Sequence, residues 1–116
     1  MPIPTDLAAL IERLNQELNQ IEQQAIIGLD LVKISLERFP ENFLLFQLSA
    51  FLNTSLFYVE TIRNLIEDRL SFVSMRDFIT DEEIQEVGEE LAMELGRAIE
   101  TKIKVISIIE RLENLS

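Results

Sequence analysis

The residues in this chain best suited to chemistry are carboxylates. Asp81, Glu82, Glu83, Glu86, Glu89, Glu90 and Glu94 crowd one stretch, with no basic side chain before Arg97. Hard oxygen ligands of this kind hold magnesium or manganese when they converge from more than one chain segment. Most other catalytic equipment is missing. The 116 residues include no cysteine and no histidine, which removes thiol nucleophiles, disulfides, histidine bases, the serine–histidine–aspartate triad and the usual zinc sites. Di-iron bundles built on Glu-x-x-His pairs are excluded for the same reason.

Within the acidic run, the spacing Glu82, Glu83, x, x, Glu86 resembles the first carboxylate motif of the all-α nucleotide pyrophosphatases of the MazG and dimeric dUTPase kind. The resemblance covers five residues. It implies magnesium held between two acidic motifs on neighbouring helices, so the second motif decides the matter. Downstream, the sequence offers only Glu110, x, x, Glu113, which lacks the family's aspartate. On one continuous helix, a rise of about 1.5 Å per residue would place the two motifs roughly 36 Å apart. The expected role of Glu82, Glu83 and Glu86 is therefore local, as acids favoured at a helix N-terminus, and no metal or other cofactor is expected.

A second constellation is aromatic. All seven phenylalanines and the single tyrosine lie between positions 39 and 78: Phe39, Phe43, Phe46, Phe51, Phe57, Tyr58, Phe72 and Phe78. Positions 42–59 carry no charge. At about 100° per residue, Phe43, Phe46 and Phe57 spread over one side of a helix, while Leu44, Leu48, Phe51, Tyr58 and Ile62 line another. Two neighbouring helices cannot cover both sides. A third pattern is the small-residue stripe Gly88, Ala92, Gly96, matched by a smaller notch at Ala25 and Gly28. Such stripes receive large knobs or allow close helix approach. The candidate interface set is accordingly Phe43, Phe46, Leu48, Phe51, Phe57, Tyr58, Gly88, Ala92 and Gly96.

Three helices must position these groups. Leu7, Ile11, Leu14, Leu18, Ile21, Ala25, Gly28 and Val32 recur in steps of four and three, the heptad signature of a helix seam. Thr5 is the expected N-cap, and Phe39 before Pro40 ends the helix, because a residue preceding proline is pushed out of the α region. From Ile26 to Leu36, apolar residues point in nearly every direction, which predicts cover on more than one side. Pro40 and Glu41 suit the first turn of a second helix, running amphipathically through Leu70 with Glu60, Glu67 and Asp68 on its surface. Ser71–Ile79 reads as a connection, with Ser74 able to cap a short turn and Asp77 following three residues later. Thr80, Asp81, Glu82, Glu83 is a capping box opening a third helix to about Glu113.

The expectation is an all-α protein, one domain over residues 1–116, in which three long helices form an antiparallel, coiled-coil-like bundle whose core is completed by homodimerisation. The uncharged run approaches the length of a membrane span, but Gln47, Ser49, Asn53, Thr54 and Ser55 interrupt it and its flanking charges favour neither side, so a buried central helix is expected instead. A net charge of −11 argues against nucleic acid and anionic lipid, both of which require clustered lysine and arginine. The N-terminus shows no basic region followed by an apolar run, so the cytoplasm is the expected location. In function, the residues point to a non-catalytic protein–protein interaction or assembly module whose partner is a second copy of itself. The alternatives are a magnesium-dependent nucleotide pyrophosphatase and a small helical chaperone or adaptor presenting the second helix to a client.

Overall fold

The computed structural model describes residues 4–75 and 79–115. Within them, the chain forms three helices: α1 (Thr5–Arg38), α2 (Phe43–Met75) and α3 (Asp81–Leu115). No strand occurs among the described residues. The helices lie side by side in a rod 59 × 18 × 16 Å, close to the roughly 50 Å expected of helices of this length plus their turns. Arg63 of α2 reaches Glu22 and Asn19, while Leu52, further back along α2, reaches Gly28 further on along α1. These two helices therefore run antiparallel. Lys102 meets Gln20 and Ile109 meets Gly28, so α3 runs parallel to α1. The topology is up, down, up.

The heptad seam of α1 is the common core. Leu7, Ile11, Leu14, Leu18, Ile21, Ala25, Gly28 and Val32 are all buried, and the seam extends one step further to Ser35. Both other helices pack closely on it, whereas α2 and α3 approach each other less closely. On α2 the buried residues are Leu45, Leu48, Leu52, Ser55, Val59, Ile62, Ile66 and Val73; on α3 they include Val87, Leu91, Ala98, Val105, Ile108, Ile109 and Leu112. The notch on α1 works as a hole: the Leu52 side chain fills the space where a Gly28 side chain would be, with Cδ1 2.8 Å from an added Cβ and Ile109 Cγ1 at 3.4 Å.

Helix ends depart from the sequence reading in several places. The α1 N-cap is Pro4, without a side-chain cap, and Thr5 is already helical; a proline supplies the preset φ that an entering chain needs. Pro40 and Glu41 form a turn, and α2 starts at Phe43 with the Asn42 side chain accepting from the Leu45 amide at 3.2 Å. That makes Asn42 the cap. At its far end, α2 continues past Leu70 to Met75, so Ser74 lies inside the helix. Asp77 and Phe78 lie outside the described residues. The capping box is half formed: the Glu83 amide donates to Thr80 Oγ1 at 3.1 Å, but the Thr80 hydroxyl itself donates to Glu83 Oε1. The α1 segment after Ile26 is covered less than its composition suggests, since Ile26, Ile27 and Ile34 are exposed.

Two ion pairs clamp α2 to its neighbours: Arg63 with Glu22 on α1, and Arg69 with Glu90 on α3. Hydrogen bonds from these guanidinium groups hold the Glu22 and Glu90 carboxyls below the ordinary value of 4.5. Because the folded pKa is depressed, this stabilisation is complete above the unfolded-state pKa of about 4.3 and is lost as pH falls through the folded values. Chemical denaturation of the wild type and of the Glu22→Gln, Glu90→Gln double variant should differ at pH 6, and the difference should shrink as the pH is lowered below the ordinary carboxylate range. At the start of α3, Thr80→Ala should cost about 1 kcal/mol, whereas Glu82→Gln with Glu86→Gln should leave thermal unfolding unchanged or slightly raised.

Candidate functional site

Of the proposed interface residues, the structure brings one set to the surface and takes another into the core. Phe43, Phe46 and Phe57 are 71%, 51% and 69% exposed. They share the face of α2 turned away from the buried seam. Leu48 belongs to the core itself, and Phe51 and Tyr58 are half-buried against it. The reason is angular: Leu48 lies one turn from Leu45 and Leu52 on the inner face, while Phe51 and Tyr58 flank that face on the side of α3. Within the chain, Leu48 thus serves the core, and Phe51 and Tyr58 each keep part of their surface exposed.

The small-residue stripe stays open within the chain. A side chain built at Gly88 or Gly96 would meet nothing within 4 Å, and Ala92 is exposed. No aromatic knob enters the stripe within the chain. Opposite this part of α3, Tyr58 reaches across from α2, and its hydroxyl lies 3.2 Å from Glu94 Oε2 and 3.3 Å from the Glu94 carbonyl. Burial first, and then the Glu94 carboxylate, push the Tyr58 phenol well above its ordinary value. It remains a neutral hydrogen-bond donor at physiological pH.

Two buried carboxylates are not among the expected site residues. Glu17 stands in a polar stretch of α1 and Glu94 closes the acidic run, yet both are buried. Lys102 Nζ lies 2.6 Å from Glu17 Oε2, and Arg13 approaches Oε1 at 3.7 Å; Arg97 Nη1 lies 2.6 Å from Glu94 Oε1. The signal was present in the spacing: Glu17 follows Leu14 by three and precedes Ile21 by four, and Glu94 stands in the same relation to Leu91 and Ala98. Heptad position overrides polarity once a positive partner reaches the carboxylate.

The acidic run at the start of α3 shows no convergence. Glu82 and Glu86 are exposed on one helix, and Glu110 and Glu113 are further along the same helix. Among the described residues, no group of three potential metal ligands comes together. A groove near the opposite end, about 480 Å³, lies between α2 and α3 and is walled by Leu44, Leu48, Phe51, Ile103 and Ile108. By length and composition α2 could cross a bilayer, and a little over a quarter of its most apolar window is buried inside the bundle.

The exposed apolar residues are distributed unevenly. Among the described residues, and apart from Met93, the large ones (Ile26, Ile27, Ile34, Phe39, Phe43, Leu44, Phe46, Phe57, Ile103, Ile106 and Leu115) all belong to the half of the rod nearest the α1–α2 turn. That half, residues 23–59 and 103–115, holds five acids (Asp30, Glu37, Glu41, Glu110, Glu113) against four bases (Lys33, Arg38, Lys104, Arg111). The other half holds sixteen acids against six bases, and so almost all of the net −11. One end is apolar and near neutral; the other is strongly acidic. Comparison of the chain with models of known families, with curated proteins and with solved structures finds no match, so its functional reading rests on this geometry.

The open stripe leads to a stability prediction. Gly88→Ala and Gly96→Ala replace glycines in the interior of a helix where nothing opposes a methyl group, and each should raise stability by about 0.5–1 kcal/mol. Denaturant midpoints check this; a loss in either variant would indicate a close contact with a second chain at the stripe.

Proposed function

We propose that this chain is a non-catalytic protein–protein interaction module that assembles with itself. The observation supporting this reading is the exposure of Phe43, Phe46 and Phe57 together on the outer face of α2, in a segment free of charge. A phenylalanine presents about 200 Å² in all, so these three leave roughly 400 Å² of aromatic surface in water. That single face already matches the largest apolar patch of an ordinary monomer, about 300–600 Å², and Phe39, Leu44 and three isoleucines of α1 are exposed elsewhere in the same half of the rod. Surface of this kind is characteristic of the centre of an interface.

Self-association follows from charge as much as from apolarity. Two copies repel through most of their surface, because each carries −11. The near-neutral half offers the one region where a second copy can approach at small electrostatic cost. Sedimentation equilibrium at micromolar concentration should give a mass near twice the 13.4 kDa chain. Phe43→Ser combined with Phe57→Ser should return it to the single-chain mass while leaving helix content unchanged, since both side chains lie outside the core. A wild-type mass of one chain would overturn the proposal.

A further inference from the structure

The outer face of α2 carries a second heptad seam. Phe43, Phe46, Ala50, Asn53 and Phe57 recur in steps of three, four, three and four, the spacing of the buried inner seam Leu45, Leu48, Leu52, Ser55, Val59. One face of the helix meets α1 and α3; the other, with Phe43, Phe46 and Phe57 exposed, meets no other helix among the described residues. A heptad stripe with aromatic side chains is a surface shaped for another helix, because its side chains stand in line along a shallow left-handed crossing.

We infer that the partner on this seam is α2 of a second copy, laid antiparallel with the two-fold axis at Ala50; the inference rests on the self-association proposed above. Ala50 stands seven residues from Phe43 and seven from Phe57. A two-fold axis there sets each Phe43 against the partner's Phe57 on both sides of a small central residue, which lets the helix backbones approach. The same axis matches the charge pattern. The uncharged run, residues 42–59, is centred at Ala50 and Phe51 and bounded by Glu41 and Glu60. The antiparallel overlap therefore superposes the uncharged run of one copy on that of the other and ends where charge begins.

Direction follows from the rod's polarity. A parallel pair would lay the two acidic halves side by side, with Glu60, Glu67 and Asp68, all exposed on α2, next to their own copies. The antiparallel pair sends those halves to opposite ends, far beyond the Debye length of about 8 Å at physiological ionic strength. The seam's roughly 400 Å² of phenylalanine surface supplies about half of the 800 Å² per partner of a standard interface. Ala50, Asn53 and the edges of the stripe at Gln47 and Thr54 adjoin it along the helix.

The chain has no cysteine, so a single spin label introduced through Thr61→Cys, at an exposed position of α2, reads the arrangement directly. In the antiparallel pair, position 61 lies level with the partner's position 39, and the two labels are separated by about 33 Å along the axis at about 1.5 Å per residue. A parallel pair would bring them to about 10 Å, the helix–helix distance. Pulsed dipolar measurement should give the long distance, and Ala50→Arg should raise the dimer dissociation constant about 100-fold by bringing two guanidinium groups together at the axis. A dimer with the short distance, or one unaffected by Ala50→Arg, overturns this inference and leaves self-association standing. A wild-type chain that sediments as a monomer overturns both.

Discussion

Everything in this structure is referred to the narrow seam of α1. Each layer of the core contains one of its residues, from Leu7 to Ser35, and the other two helices pack on α1 more closely than on each other. At Gly28 the seam narrows to backbone, and side chains from both partners, Leu52 and Ile109, close on the same point. A hole that one leucine fills this tightly tolerates few alternative alignments, because cores pack at near-crystalline density. Register along the rod follows from that single layer and from the steps of three and four on either side of it.

Polar groups reinforce the register at the margins of the seam. Glu17 and Glu94 occupy heptad positions that face inward, and each is reached by an arginine of its own helix and by a group from another helix: Lys102 for Glu17 and the Tyr58 hydroxyl for Glu94. Buried ion pairs of this sort return little net stability, since desolvation offsets most of the attraction. Their consequence here is discrimination: a slip of one turn would leave a buried carboxylate unanswered. The outer pairs Arg63–Glu22 and Arg69–Glu90 tie α2 to both neighbours in the acidic half.

The division of the rod into an acidic half and an apolar half turns packing into a statement about assembly. Like charge on the acidic halves opposes their approach to one another. The outer face of α2 offers phenylalanines at the opposite end, in the one long stretch of chain without charge. Burying that surface would add apolar contact at the bundle's least charged region, and the same residues contribute little to the core of a single chain. A helix with two seams on opposite faces can serve two sets of neighbours.

The sequence alone determined a great deal of this. The eight α1 positions read as a seam are all buried, because heptad steps leave no other arrangement that hides those side chains from water. Phe39 before Pro40 ended α1, and Thr80 capped the Glu83 amide, since both are local backbone effects. Helix limits set by competition between caps were less legible: Asn42 opened α2 in place of Pro40, and α2 ran on to Met75. Only tertiary structure decided which of the aromatic residues faced inward. Phe51 and Tyr58 differ from Phe43 and Phe57 by no local propensity; they differ by where α3 lies. For the same reason the glycine stripe at Gly88 and Gly96 faced open space while the notch at Gly28 received Leu52. Small residues permit close approach, but the positions of the neighbouring helices determine whether anything approaches.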